Sequence, residues 1–138
     1  MELSEIATLS GKSGLFRVLK PTRTGVILES LDDKKTKLVA NAQHRVSVLE
    51  EISIYTTTED GSVPLKKIFH KIAKEFDDDP GLDNNASADE LKAFIRHILP
   101  EYDQERVYTS DIKKLVSWYK ILYKHAPEVL TGKDENDS

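Results

Sequence analysis

The apolar pattern of this chain changes period at one place, and that change limits its fold more than any other feature. Up to the stretch Arg45 to Thr57, RVSVLEEISIYTT, apolar residues come in short runs broken by Gly, Pro and Asp-Asp. Beyond it they recur every three or four residues, the spacing of a helix with one buried face. Strands first and helices afterwards predict an α+β protein. Within the stretch, Val46, Val48 and Leu49, then Ile52, Ile54 and Tyr55, flank the polar pair Glu50-Glu51. Two alternating runs around such a pair predict a strand, a tight corner and a closing strand.

Upstream, Gly14–Leu19 alternates as a strand and stops at Lys20-Pro21, because proline cannot continue a central ladder. Val26–Leu31 and Thr36–Ala40 predict two more strands around the Asp32-Asp33-Lys34-Lys35 turn. With Val46–Leu49 and Ser53–Thr57 there are five. Leu3, Ile6 and Leu9, three apart, suit either a helical turn or an irregular leading strand. Five short strands with a corner before the last predict a small SH3-like β barrel over residues 1–58. Ser10–Gly14, SGKSG, shares letters with the end of a phosphate-binding P-loop. Ile6 stands where that motif needs its first glycine, and a strand follows where it needs a helix, so the segment is expected to be a plain loop.

Residues 62–126 predict a three-helix unit. The first helix carries Leu65, Ile68, Phe69, Ile72 and Phe76 on one face, with Ser62 as cap and Pro64 in the first turn. Ser87 and Glu90 form a capping box before Leu91, Phe94, Ile95, Ile98 and Leu99. Thr109 or Ser110 caps the third helix, whose stripe is Ile112, Leu115, Val116, Tyr119, Leu122 and Tyr123. Residues 127–138 are expected to be a disordered tail. A module of about 60 residues buries too little surface to be stable alone, so barrel and helices should pack together.

The strings SGKSGLFRVL, GVILESLDDKK and VSVLEEISIYT, with LPEYDQERVYTSDIKKLVSWY, resemble an uncharacterised family of short bacterial proteins, a domain of unknown function. The likeness runs from about Leu3 to about His125. It implies a β module followed by a helical part, and it implies no activity and no catalytic residue.

The residues themselves exclude several chemistries. With no cysteine there is no disulfide framework, thiolate metal site or thiol redox chemistry. The acidic loop Asp77, Asp78, Asp79, Asp83, Asn84 and Asn85 fits no calcium-loop register, lacking both the central Gly and the terminal Glu. His44, His70, His97 and His125 fall in four separate elements without a metal-binding pair; His70 and His97 are expected in solvent, and His125 at the negative end of a helix dipole. No serine sits in a nucleophile elbow. The chain is therefore expected not to be an enzyme and to hold no cofactor or metal. MELSEIATLS has neither the basic flank nor the apolar core of a secretory signal, and no run is long enough to span a bilayer, so a cytoplasmic protein is expected.

What remains is binding. Arg17, Lys20 and Arg23, with Lys34, Lys35 and Lys37, are expected to decorate the barrel's turns; Lys67, Lys71 and Lys74 line one helix, and Lys113, Lys120 and Lys124 another. Basic turns on a small barrel suit RNA or DNA. A net charge of −4 and a pI near 5.6 are not those of a dedicated nucleic-acid protein. Trp118, beside its helix's apolar stripe, serves either as core or as an anchor for a partner. The expectation is an adaptor that binds a macromolecule without catalysis. A protein is the favoured partner, and nucleic acid on the basic turns is the alternative. If no metal is bound, adding calcium, magnesium or zinc leaves the melting midpoint unmoved; a rise of several degrees in a thermal melt would reveal a native-state site.

Overall fold

The computed structural model describes residues 1–41, 44–76, 80–82 and 85–131. The chain opens with a 3-10 turn, Leu3–Glu5, and runs directly into strand β1, Ile6–Leu9, so the spacing Leu3, Ile6, Leu9 spans both of the expected conformations. β2 (Phe16–Pro21), β3 (Gly25–Ser30) and β4 (Lys37–Asn41) follow as an antiparallel meander. β5 (Val46–Val48) returns to the free side of β1. The sheet order is β4-β3-β2-β1-β5, which places the first strand of the chain inside the sheet. Gly25 allows the close pairing of β3 and β4, since a Cβ there would stand 1.8 Å from the carbonyl oxygen of Ala40. β2 carries an irregularity between Val18 and Lys20. An extra residue of this kind bends a strand and leaves one side chain out of the ladder, and Leu19 is 38% exposed.

The sheet is open, so the expected SH3-like barrel does not close. After β5 a 3-10 turn, Leu49–Glu51, carries the chain away from the sheet. The segment expected to seal the barrel, β6 (Ser53–Tyr55), pairs with β7 (Ser62–Pro64) in a separate hairpin. Ser62 and Pro64 are therefore strand residues, not the start of a helix. Val63, opposite Ile54, supplies the β-branched pair between them. Pro64 has no N–H to give the ladder, and Leu65 donates its own to the carbonyl of Ile52 at 3.0 Å. Strand pairing has overridden a local helix-start signal.

α1 (Leu65–Phe76), α2 (Ala88–Ile98) and α3 (Thr109–His125) bury the stripes expected of them, with Phe76, Leu99 and Tyr123 half-buried at the margins. Ser87 caps α2 reciprocally with Glu90, at 3.2 Å and 3.1 Å. At α3 the cap differs from expectation, because the Asp111 carboxylate accepts the Tyr108 N–H at 3.0 Å. Residues 127–131 depart from the expected disordered tail, whose remainder, 132–138, lies outside the described residues. α4 (Glu128–Thr131) follows Pro127 and buries Val129 and Leu130. The His70 ring lies 3.3 Å from the carbonyl oxygen of Val129, so His70 is half-buried and not free in solvent. Two apolar residues after a proline are too short a signal for periodicity to register, yet enough to dock one helical turn. No helix among the described residues is long and apolar enough to cross a membrane.

Alternation in the sheet divides the core. Leu9, Phe16, Leu28 and Ala40 form a small cluster on one face with Val18, Val26, Leu38 and Val46. Ile6 and Leu15, on the other face, join Leu3 and Leu49 in a larger cluster with Leu65, Phe69, Ile95, Leu115 and Tyr119 of the helices. Ile6 and Leu49 are fully buried there. Each such side chain contributes about 1.5–3 kcal/mol by removal from water, and most of the buried members of that cluster are helical. Fragment 1–58 is therefore expected to melt broadly and non-cooperatively, while the whole chain melts in one transition; sharp, dispersed amide signals from the isolated fragment would mean the two parts fold separately.

Candidate functional site

A cleft lies where the sheet's loops overhang α3. It has a volume of about 690 Å³. Three pieces of chain build it: the β1–β2 loop Ser10–Gly14, the entry to β5 with Arg45 and Ser47, and the face of α3 carrying Ser110, Lys113, Lys114, Ser117, Trp118 and Ile121. On α3, Ser110, Lys114, Ser117 and Ile121 follow one another at three- or four-residue steps, so they share a face. That face is opposite the buried stripe Ile112, Leu115, Tyr119 and Leu122.

The loop is held in place from below. Lys12 donates its N–H to the carbonyl of Leu9 at 3.1 Å, closing a tight turn with Gly11 at φ +79°. Gly14 follows at φ +85°. Both values lie in the left-handed region that glycine enters at no cost. Ser10 and Arg45 then exchange two bonds: Ser10 N–H to the Arg45 carbonyl at 2.9 Å, and Arg45 N–H to the Ser10 hydroxyl at 3.0 Å. The pairing brings Arg45 against the loop at Ser10.

The electrostatics of the groove are one-sided. Lys12, Arg45, Lys113 and Lys114 line it, with no carboxylate among the lining residues. None of the four is ion-paired with a described residue. Some cations elsewhere do have partners: Arg17 with Glu5 at 3.6 Å, Arg106 with Asp103 at 3.6 Å, Lys124 with Asp33 at 4.0 Å, and the Lys120 ammonium with the Leu82 carbonyl. Six hydroxyl-bearing residues, Thr8, Ser10, Ser13, Ser47, Ser110 and Ser117, complete the polar lining, and Leu9, Trp118 and Ile121 supply its apolar part. The arrangement can hold an anion bearing a flat apolar group. Its lining residues include no histidine, carboxylate or thiol.

Of the seven residues singled out in the sequence, the structure brings only Trp118 to the groove, half-buried against the large core. The basic six lie elsewhere. Arg17 faces Glu29 across the β2–β3 pairing, and Glu29 faces Lys37 across β3–β4, so the charges alternate across the sheet. Glu5 is held below the usual carboxylate range, first by the Glu2 N–H and further by Arg17. Lys20 and Arg23 are exposed at the β2–β3 end. Lys34 and Lys35 wrap the Asp32 carboxylate, donating their N–H groups at 2.9 Å and 3.0 Å. Among the histidines, His97 pairs with Glu75 at 3.1 Å, and His125 lies 4.0 Å from Asp33. Asp77, Asp78, Asp79, Asp83 and Asn84 of the acidic loop lie outside the described residues. Among the described residues no three His, Asp or Glu side chains cluster as metal ligands.

Lys12, Arg45, Lys113 and Lys114 are what sequence reasoning missed as a group. Lys113 stands out as an outer-face lysine, and the Ser10–Gly14 loop is set aside once it fails as a P-loop. The usable signal was the part of α3 outside its apolar stripe, where Lys113, Lys114 and Trp118 fall close together in the chain.

Comparison with known proteins adds a frame. Residues 3–49 match the profile of a domain of unknown function, DUF5606, and residues 52–122 match that of another, DUF6852. The junction falls at the Leu49–Glu51 turn, where the structure passes from sheet to hairpin and helices. A solution NMR structure of a protein from Bacteroides vulgatus is similar at 35% identity, over 96% of this chain and 89% of that one, with a TM-score of 0.67. A search of curated proteins found no match.

The β3–β4 turn makes one pH prediction. Donation by the Ser30 hydroxyl, then by the Lys35 and Lys34 N–H groups, holds Asp32 below the usual carboxylate range. A carboxyl with a lowered folded value stabilises the fold above its unfolded value, and that contribution disappears as pH falls through the folded one. Asp32→Asn is expected to remove this component, so its melting midpoint should fall less steeply with acid than that of the wild type. Parallel acid limbs in a pH series of thermal melts would show that Asp32 contributes nothing.

Proposed function

The chain belongs to a family of domains of unknown function, DUF6852 over its helical part with DUF5606 over its sheet, and from the groove we propose that it is a non-catalytic protein that binds single-stranded nucleic acid. The observation that carries this reading is four cations without an opposing carboxylate around a half-buried indole. Phosphates account for the cations and an unpaired base for the indole, the combination used by proteins that bind single strands. A duplex keeps its base faces stacked inside and offers none to Trp118. The acidic total does not oppose this, because short-range contacts follow local charge, and charges beyond roughly 8–10 Å are screened in physiological salt.

A protein partner, the choice that composition favours, needs a clustered aromatic or apolar anchor. The exposed large apolar side chains, Leu19, Val39, Tyr55 and Tyr108, are spread over β2, β4, β6 and the N-terminal end of α3. The basic strand and turn residues Lys34, Lys35 and Lys37 are not part of the proposed surface.

Binding of a mixed-sequence single-stranded oligonucleotide is expected to weaken with salt at a log–log slope of roughly −3 if all four groove cations displace counterions. Lys113→Glu with Lys114→Glu should reduce affinity at least about tenfold, since each reversal replaces attraction by repulsion at a phosphate. Reversal of Lys34, Lys35 and Lys37 should do much less. No detectable binding in low salt by fluorescence anisotropy would remove the proposal.

A further inference from the structure

Resting on that reading, we infer how one nucleotide unit is seated: its base stacks on the Trp118 indole, and its phosphate lies between the Ser10–Gly14 loop and the Lys114 ammonium. Trp118 and Lys114 stand one turn apart on α3, both lining the groove. Side chains four residues apart on a helix have Cβ atoms about 5–6 Å apart, so the indole and the ammonium meet the ligand as neighbours. Ile121 and Leu9 are the other apolar lining residues, which makes the Trp118 part of the groove its apolar region.

The loop supplies the complementary wall. Among the described residues, no hydrogen bond is accepted from the N–H groups of Gly11, Ser13 or Gly14. Added Cβ atoms at Gly11 and Gly14 would meet nothing within 4 Å, so the backbone there is uncovered. Unbonded amides beside Lys12 make a region of concentrated positive potential, the chemistry that backbone loops use to hold phosphate oxygens. Arg45, pinned to the loop through Ser10, adds a guanidinium that can grip two oxygens at once. The P-loop comparison thus failed on motif and fold, while the loop keeps the composition that suits a phosphate without a helix behind it.

The inference separates base from phosphate, and two probes read them apart. Trp118 is the chain's single tryptophan, so intrinsic fluorescence reports this site alone. Oligothymidylate should quench that fluorescence, while inorganic polyphosphate, which has charge but no base, should bind with much weaker quenching. Trp118→Leu, which keeps apolar volume against the core, should lower oligothymidylate affinity about tenfold or more and leave polyphosphate affinity unchanged. Lys12→Gln should lower both. Thermal melts of each variant establish that it is folded, and the wild-type quenching needs no variant. Oligothymidylate that binds and responds to Lys113 and Lys114 reversal, yet leaves Trp118 fluorescence unchanged, overturns this seating and leaves the nucleic-acid reading intact. Binding of polyphosphate or a phosphorylated peptide without any binding of oligonucleotide overturns both.

Discussion

The burial of Ile6, Leu15 and Leu49 among helical side chains is the contact on which the rest of the structure depends. These three come from β1, the approach to β2 and the turn after β5, so they tie the centre of the sheet to the helices. Phe69 and Tyr119 pack on each other with ring centroids 6.3 Å apart, which fixes α1 against α3 in the same cluster. α3 is thereby held beside the sheet, and the groove is the space left between them.

The open sheet bears on the groove as well. In a closed barrel, β5 would be paired on both sides. Here β5 is an edge strand, and Arg45 and Ser47 at its start form one wall of the groove. The chain leaves that edge through the Leu49–Glu51 turn, and β6 finds β7 as its partner. The hairpin is itself fastened to the α2–α3 connection. Thr57 N–H donates to the Glu101 carbonyl at 2.8 Å, and Asp103 N–H to the Tyr55 carbonyl at 2.9 Å. The strand that failed to close a barrel thus braces the approach to α3.

Charge is distributed with a similar division. The chain carries a net −4, but its acidic residues repeatedly serve as local partners: Glu5 for Arg17, Asp32 for the amides of its own turn, Asp103 for Arg106 and Asp111 for the N–H of Tyr108. The cations of the groove are left without such partners among the described residues. Total charge therefore describes solubility and says little about what the groove accepts.

By itself the sequence determined most of the secondary structure and the order of the halves, because both follow from local periodicity. The stripes of α1, α2 and α3, the Ser87–Glu90 cap and strands β2 to β5 needed nothing beyond spacing and turn residues, whereas Leu3, Ile6 and Leu9 left β1 open between a helical turn and a strand. It could not determine which strands pair. Ser53–Tyr55 is equally able to close a barrel or form a hairpin, and the choice rests on Val63 and on the room left by the Leu49–Glu51 turn. Nor could it show that Val129 and Leu130 dock on α1, since that burial needs a surface assembled from distant residues. The groove belongs to the same class. Lys12, Arg45 and Lys114 each look like ordinary solvated cations in the chain, and only the packing of α3 against the loops of the sheet sets them around Trp118. Periodicity is a property of neighbours along the chain, whereas a binding site is a property of neighbours in space.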